Sequence, residues 1–485
     1  MAPQLQSAQP QPALSNAQLV ATAILTLVCL PVLIVSHLPT SQFPAAMPTG
    51  LAVLIAIVAF GWLLHCNAWL KTDRLVAAVL LGIFVLRLCL ALGIARWWWL
   101  PQTLTAQQND WDIYEMLGWD LAQSGMSIEV ASSYPLNEVG TVYLVGALYS
   151  LVGRNPLVLT VFFTFLGTWI ALEVANLVAL TRNGKAARRA AVLGSLMPGS
   201  IFIGVLPAKD ILVTFCFLRV ILLFHQVQVS RGLTWMQKGM ALVLVSIVGI
   251  VRAMAIPVLI ITLMGLFTFG APKKRIRLIV ITAAIGLVGI LTVAWRLTEL
   301  GGWVYFSPIS ISQLVYERTG GDSATLSDIG LTFATDEVSS IAVKTFWDGE
   351  ISKAYLVPLR AALLLFVPFP PIYFNALDDV FQSLNTAFML LLTPAAWAAV
   401  AYNQCGWRVA MRELSWLWVP LVVPTIVLAA ALPFFQQRYA LLPQLFFVGL
   451  ASVGMHKERR LVALYLLSPF LIVTLYGLYT VMKAY

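Results

Sequence analysis

The chain has 485 residues, of which 60% are hydrophobic and 11% are charged. A soluble protein of this length could not bury so much apolar surface, so the composition excludes a soluble enzyme and predicts a protein of the lipid bilayer. The net charge of +9 does not indicate nucleic-acid binding, because the basic residues stand in short clusters beside apolar segments, as membrane topology requires.

The first segment, residues 1–16, is polar and rich in proline and glutamine. It lacks the basic start and the small-residue cleavage site of a signal peptide, so we expect a disordered cytoplasmic tail. Residues 17–485 are predicted to form a single transmembrane domain, because the polar interruptions between its apolar stretches are too short to hold a separate soluble domain.

About thirteen apolar segments follow the tail, and the expected fold class is an all-α polytopic bundle of transmembrane helices. A spanning helix needs about 20 apolar residues. The predicted spans are 17–38, 47–66, 75–95, 156–180, 190–207, 211–229, 239–251, 255–270, 278–295, 381–402, 414–432, 440–455 and 461–481.

Two further apolar segments, 139–153 and 354–370, are short and follow polar stretches. If both spanned the bilayer, every basic cluster between them would face outward, against the positive-inside rule. We therefore predict partial or re-entrant helices, which are tolerated where protein or a water-filled cavity surrounds them. The basic residues that then become cytoplasmic together are Lys71, Arg74, Arg182, Lys185, Arg188, Arg189, Arg231, Lys238, Lys273, Lys274, Arg275, Arg277, Arg408, Arg412, Lys457, Arg459 and Arg460.

The same assignment gathers the unusual polar stretches on the extracytoplasmic side. That side receives the first outer loop at 96–138, the turn at Lys209-Asp210, Arg252, the long loop at 295–355 and the turn at 433–439. We therefore expect any chemistry to take place on that side.

The first outer loop carries the strongest candidate for an acid–base residue. Apolar residues recur there at the spacing of a short amphipathic helix lying at the interface: Trp111, Tyr114, Leu117 and Leu121. Asp110 falls in the first turn, where it is either a helix cap or a general base for an acceptor hydroxyl. Four acids within eleven residues favour function: Asp110, Asp112, Glu115 and Asp120. Asp112 is the alternative base.

Isolated cations at tight outer turns predict a phosphate-binding site. Lys209, Arg252 and Arg438 each offer hydrogen-bond donors to an anionic oxygen. The alternative for Lys209 is an interfacial lysine that extends towards water, with Asp210 as the cap of the next helix.

Three charged residues lie within the apolar segments themselves. Glu173 and Arg219 fall at a similar depth and are expected to form a structural ion pair, although a transporter would also place ionisable groups there. Arg87 lies nearer the outer end of its helix and either extends to the interface or lines a cavity.

The metal-binding side chains follow no pattern of a site. The five cysteines have no close pairing and the four histidines are scattered along the chain. This argues against a disulfide framework, a CxxC-type or histidine-based zinc site and a Ser/His/Asp triad. No resident cofactor is predicted, and a divalent metal ion is left open.

Four short motifs occur in order along residues 75–455. The first is Asp110, four residues before Tyr114, and the second is Tyr134-Pro135-Leu136, followed by the small-residue turn that ends at Gly153. The third is Arg188-Arg189, which leads to Pro198 and then to Lys209-Asp210. The fourth is Gln437-Arg438-Tyr439 with Pro443. This order resembles the GT-C superfamily, the multi-span glycosyltransferases that use polyprenyl-phosphate sugars and include the protein O-mannosyltransferases and the lipid-A aminoarabinose transferases. The chain departs from that pattern in reading Lys-Asp at the second acidic position and in lacking an Asp-Glu pair in the first loop.

Together with the outer cluster, the resemblance implies a glycosyltransferase of the bacterial inner membrane that acts on the extracytoplasmic side in cell-envelope synthesis. It would move a sugar, with inversion, from a polyprenyl-phosphate carrier to a hydroxyl of a glycan, lipid or protein acceptor. The expected partners are membrane lipid, the lipid-linked donor and this acceptor, and no nucleic acid. The implied roles are Asp110 or Asp112 as base; Lys209, Arg252 and Arg438 at the donor phosphate; and Asp210, Tyr134 and Tyr439 at the substrate.

Three other functions stay open on the sequence. An envelope polysaccharide polymerase or ligase of another fold would use lipid-linked sugar and outer arginines but would not need Asp110. A lipid-linked sugar transporter or flippase would show an inverted repeat, and none is evident in the sequence. A scaffold subunit of an envelope complex would tolerate changes to all these residues.

Overall fold

The computed structural model of the chain describes residues 46–67, 69–70, 73–96, 110–127, 139–180, 184–229, 234–252, 255–269, 361, 364–366, 377–401, 411–431 and 437–455. Within these residues the backbone forms helices and no strand, so the predicted all-α class is confirmed for them. The helices are α1 (Ala46–Cys66), α2 (Arg74–Ile94), α3 (Asp110–Gln123), α4 (Val139–Val152), α5 (Pro156–Ala179), α6 (Gly184–Leu196), α7 (Pro198–Val205), α8 (Lys209–Val229), α9 (Trp235–Val251), α10 (Ala255–Phe269), α11 (Leu377–Ala401), α12 (Ser415–Ala431) and α13 (Gln437–Gly454).

Several of these helices are long and apolar enough to cross a membrane. Among the described residues four meet this condition, within α1, α2, α5 and α11, and a fifth is added if α7 and α8 count as one bent span. The apolar helices in α4, α9, α10, α12 and α13 are shorter. The structure therefore supports a membrane protein, and the larger number of thirteen spans stays a prediction.

Several predictions lie outside the described residues. These are the tail at 1–16, the spans at 17–38, 278–295 and 461–481, the long loop at 295–355, and all but a few residues of the segment at 354–370.

The ambiguous segment at 139–153 forms α4, which packs against α3. Gly118 of α3 lies against Val145, and Leu121 lies beside Gly146. The 14 residues of α4 extend about 21 Å, whereas the hydrocarbon core of a bilayer is about 30 Å thick. This is the length of the partial helix that the sequence predicts, and the amphipathic helix expected in the first outer loop is α3.

The centre of the bundle is α5, a 24-residue helix that is buried along most of its length. It packs against α1, α2, α6, α7, α8 and α13, while α11 packs against α7 and α13, and α12 packs against α10 and α13. Because a helix that is apolar on all sides has no polar face to present to water, its position in the interior follows from its composition.

The segment at 190–207, predicted to be one span, is instead divided into two helices. α6 ends at Leu196, Met197 is extended, and α7 begins with Pro198 at its first position. Proline is tolerated there because a first-turn N–H has no partner within the helix. The chain then bends by 119° between α7 and α8, and Pro207 in the intervening turn lacks the N–H that would continue a helix.

Contacts between distant residues define the two ends of the bundle. At one end Arg188 lies 2.6 Å from Asp73 and Trp69 donates to Asn176. At the other end Asn155 donates to Thr49 and the Lys209 ammonium lies over the Tyr114 ring. We call these the Asp73 end and the Lys209 end.

Candidate functional site

Lys209 and Asp210 occupy the first turn of α8, directly after the bend. Both are buried, and Asp210 is only 3% exposed. A carboxylate in the first turn is stabilised by the positive end of the helix dipole. The position of these two residues is thus fixed by the turn at Pro207 and by the start of the helix.

Asp210 forms an ion pair with Arg252, the residue that caps the C-terminus of α9. The Arg252 Nη1 donates to Asp210 Oδ1, and the Arg252 backbone N–H donates to the carbonyl of Val248. The second carboxylate oxygen, Oδ2, is buried and has no hydrogen-bond partner among the described residues. Arg252 is the more accessible member of the pair, with 21% of its side chain exposed against 4% for Asp210.

The start of α3 adjoins this ion pair through Lys209. The Lys209 Nζ lies 5.6 Å from the centroid of the Tyr114 ring, a cation–π geometry. Tyr114 follows Asp110 by four residues, so the two positions lie on one face of α3, one turn apart. The backbone of α3 therefore brings the first-loop acid motif to the Lys209 end.

The start of α4 approaches α9 at the same end. A Cβ atom added to Gly140 would lie 2.8 Å from the carbonyl oxygen of Ile250 and from the Cα of Val251. Only glycine allows this separation between the two backbones. The site is thus formed by the starts of α3, α4 and α8 and by the end of α9.

Glu115 joins α3 to the turn after α4 in a cluster that the sequence did not single out. Arg154 donates to both carboxylate oxygens, from Nε at 3.0 Å and from Nη2 at 2.8 Å. The Tyr149 hydroxyl donates to Glu115 Oε1 at 2.9 Å. The hydrogen bond to Glu115 raises the pKa of Arg154, against the lowering effect of partial burial. The available signal was Arg154 itself, a lone cation in the tight turn that follows an apolar segment.

The remaining predicted site residues are placed by their backbone alone or lie outside the described residues. Asp110 and Asp112 are in the first turn of α3, and Arg438 and Tyr439 are in the first turn of α13, but their side chains are outside the description. The predicted turn at 433–439 is therefore helical from Gln437 onwards. Tyr134 lies outside the described residues.

The charges inside the bundle have structural partners. Glu173 Oε1 accepts from Arg219 at 2.9 Å and from the Trp169 indole at 2.7 Å, and Oε2 accepts from Asn176 at 3.4 Å. The predicted pairing of Glu173 with Arg219 is thereby confirmed. Because both oxygens of Glu173 are bound by side chains of α5 and α8, this pair gives a transporter mechanism little support.

Arg87 neither extends to the interface nor forms an ion pair with any described residue. It is 1% exposed and its guanidinium donates to the carbonyls of Ser195 at 2.9 Å and Ser200 at 2.7 Å. These carbonyls flank the break between α6 and α7. A Cβ atom on Gly167 would lie 3.1 Å from Arg87 Nη2, so the glycine makes room for the guanidinium.

Among the described residues no three His, Cys, Asp or Glu side chains lie close enough together to hold a metal ion. No profile of a known protein family matches the chain, and comparison with curated proteins finds no significant match. The functional assignment therefore depends on the geometry of the Lys209 end and on the motifs of the sequence.

Proposed function

We propose that the chain is a membrane glycosyltransferase that moves a sugar from a polyprenyl-phosphate carrier to an acceptor hydroxyl, with inversion. The observation that supports this most is the meeting of Lys209, the Asp210–Arg252 pair and the first turns of α3 at one end of the bundle. A cationic group beside a helix that carries candidate bases is the combination that this reaction requires.

In the proposed reaction Asp110, or Asp112 in its place, takes the proton of the acceptor hydroxyl. The acceptor oxygen attacks the anomeric carbon, the bond from that carbon to the phosphate oxygen breaks, and the phosphate leaves with the electron pair. Cations are needed more than an acid, because the leaving phosphate gains negative charge and fixed positive charge stabilises it in the transition state.

The donor phosphate is assigned to Lys209, Arg252 and Arg438, the last from the start of α13. Asp210, Tyr134 and Tyr439 are assigned to the sugar or the acceptor. The reaction as written needs no metal ion, although a divalent ion bound by Asp210 is compatible with it.

The proposal extends to topology. The Lys209 end is taken to face the extracytoplasmic side of a bacterial inner membrane, in a bundle of about thirteen spans with partial helices at 139–153 and 354–370. Arg188 at the Asp73 end supports this orientation, because basic residues remain in the cytoplasm. Single cysteines introduced beside Asp110 and beside Arg252, the partly exposed member of the pair, should react with the same impermeant reagent from the same side; reaction from opposite sides would contradict the topology and the site together.

The decisive experiment is transfer by the purified full-length protein in nanodiscs, with a radiolabelled polyprenyl-phosphate sugar and a mixture of envelope acceptors. We expect Asp110→Asn to reduce transfer by about 100-fold or more, since general-base catalysis contributes that much. Asp112→Asn tests the alternative base, and Asp73→Asn, at the opposite end, is the matched control.

The same panel of variants separates the competing functions. Full transfer by Asp110→Asn together with loss of transfer in Arg252→Gln would favour a polymerase or ligase of another fold and would contradict the base assignment. Movement of labelled lipid across the bilayer without transfer to any acceptor would favour a flippase.

A further inference from the structure

The Asp210–Arg252 pair connects a sharp bend of the chain with a break between two helices. Asp210 follows the bend between α7 and α8, and Arg252 stands between α9 and α10. The two residues are 42 positions apart in sequence, so the pair fixes α8 relative to α9 at the Lys209 end. Any ligand that engages one member of the pair changes this connection.

Asp210 is incompletely bound by comparison with Glu115, another carboxylate near this end. Glu115 receives donors on both oxygens, two of them from Arg154. The Oδ1 of Asp210 accepts from Arg252, whereas its Oδ2 is buried with no donor among the described residues. An acceptor atom that is removed from water and has no donor is unfavourable, and a ligand hydroxyl would correct it.

The two members of the pair differ in how they meet an incoming ligand. Arg252 is the partly exposed member and Asp210 the enclosed one, so an anion approaching from the Lys209 end contacts the guanidinium first. Arg252 lies in a short connection between two helices, and its long side chain can turn from one acceptor to another without moving α9.

We infer that Arg252 exchanges the Asp210 carboxylate for the donor phosphate, and that the released carboxylate then accepts a hydrogen bond from a substrate hydroxyl. This inference rests on the proposed function and adds an order of events to it. In the absence of donor, Asp210 holds the guanidinium in place and balances its charge. When donor binds, the phosphate takes the guanidinium and Asp210 becomes an acceptor at the site.

The exchange predicts an unusual direction for the change in phosphate affinity when Asp210 is substituted. Asp210 competes with the phosphate for Arg252, so removing the carboxylate should tighten binding of the phosphate even though a polar group of the site is lost. Asp210→Asn is expected to bind polyprenyl monophosphate about tenfold more tightly than the unchanged protein, which corresponds to about 1.4 kcal/mol.

A double variant separates exchange from a general effect of charge. Asp210→Asn with Arg252→Gln has the same net charge as the unchanged protein. General electrostatics predicts equal affinities for these two proteins, whereas exchange predicts binding about tenfold weaker in the double variant, because the phosphate has lost its partner. The double variant also removes both charges of the pair, so neither is left buried without the other.

The experiment measures the Kd of undecaprenyl monophosphate for the full-length protein in nanodiscs of neutral lipid, with undecaprenol as the uncharged control ligand. Asp73→Asn, which removes an Arg–Asp pair at the opposite end, should leave the Kd unchanged. Tighter binding by Asp210→Asn and weaker binding by the double variant are the expected results. Weaker binding by Asp210→Asn, equal binding by the double variant and the unchanged protein, or no binding by any form would each overturn the exchange.

Failure of the exchange and failure of the proposed function give different results. If labelled sugar is transferred but Asp210→Asn binds the phosphate no more tightly, only the exchange is wrong. If the affinities follow the expected order but no acceptor receives sugar, only the transferase assignment is wrong.

Discussion

Two arginines stand at breaks between helices, and their surroundings differ. Arg87 reaches the break between α6 and α7, is enclosed on all sides and donates to backbone carbonyls. Arg252 lies at the break between α9 and α10, is partly exposed and donates to the Asp210 carboxylate. Arg87 thus satisfies backbone groups at an interrupted helix, whereas Arg252 has a side-chain partner that a ligand can replace.

The difference separates a guanidinium held by backbone carbonyls from one held by a single side chain. Backbone carbonyls are fixed by the helices that carry them. A guanidinium bound to them therefore cannot be released without unfolding the helix ends beside the break. A carboxylate with one oxygen lacking a donor can exchange its partner. Substitutions in the Arg87 region should therefore change stability, and those at the Lys209 end should chiefly change ligand binding and transfer.

The largest effect on stability is expected for Arg87→Lys. Lysine keeps the charge, and therefore the cost of removing it from water, but one ammonium cannot replace the planar guanidinium that reaches Ser195 and Ser200 together. The expected loss is on the order of 3 kcal/mol, the value of one to two charge-assisted hydrogen bonds. SDS titration and thermal melting in detergent would measure it.

Arg87→Met and Arg252→Lys complete this test. Arg87→Met should be less destabilising than Arg87→Lys, because it removes the buried charge along with the hydrogen bonds. Arg252→Lys should melt close to the unchanged protein. Equal losses for lysine at the two positions would remove the distinction between them.

A smaller effect is expected for Asn385→Leu, on the other side of the same break. The Asn385 Oδ1 accepts from the Gly199 N–H at 3.1 Å, and its Nδ2 donates to Gln444 Oε1 at 3.0 Å. Leucine removes the side-chain amide that binds the Gly199 N–H and Gln444 Oε1, and leaving these two groups buried without it costs about 2 kcal/mol. The melting temperature should fall while the Kd for polyprenyl monophosphate stays the same; a change confined to the Kd would show that this network belongs to the site.

Gly140→Ala is expected to move α4 at the Lys209 end. The added methyl would lie 2.8 Å from backbone atoms of Ile250 and Val251, which cannot rotate away as a side chain could. Overpacking of this kind costs about 1 to 2 kcal/mol, and transfer should fall by more than this loss of stability explains. Gly82→Ala, where the added methyl meets no other atom within 4 Å, is the matched control. Normal transfer in Gly140→Ala would show that α4 has no part in the site.

Helix positions were predictable from the sequence where an apolar run alone sets the length. The predicted span 47–66 corresponds to the helix Ala46–Cys66, and the predicted span 75–95 corresponds to the helix Arg74–Ile94. The division of 190–207 was missed because the run is apolar throughout, and Pro198 at the first position of a helix looks the same in sequence as proline at any other break.

The sequence predicted which residues lie on the same side of the membrane, but it did not predict which of them are in contact. Charge placement put Lys209, Asp210 and Arg252 together, because the positive-inside rule acts on every loop. Their pairing depends on how α8 packs against α9, which the sequence does not encode locally. Arg87 was assigned to the interface or a cavity because its partners are backbone carbonyls, which leave no signal in the sequence.

The smallest effect is expected for Asp73→Asn. Asp73 pairs with Arg188 across two helices, as Asp210 pairs with Arg252, but both partners are about a quarter exposed, at 26% and 28%. The Asp73 side chain also caps α2 by accepting from the Val76 N–H, and asparagine caps equally well. Only a partly exposed ion pair is lost, at about 1 kcal/mol or less. Melting temperature, phosphate-lipid affinity and transfer should therefore all stay near those of the unchanged protein. If Asp73→Asn instead altered the affinity for polyprenyl monophosphate as strongly as Asp210→Asn, the effects at Asp210 would reflect the loss of any ion pair between helices. The Lys209 end would then not be the phosphate site.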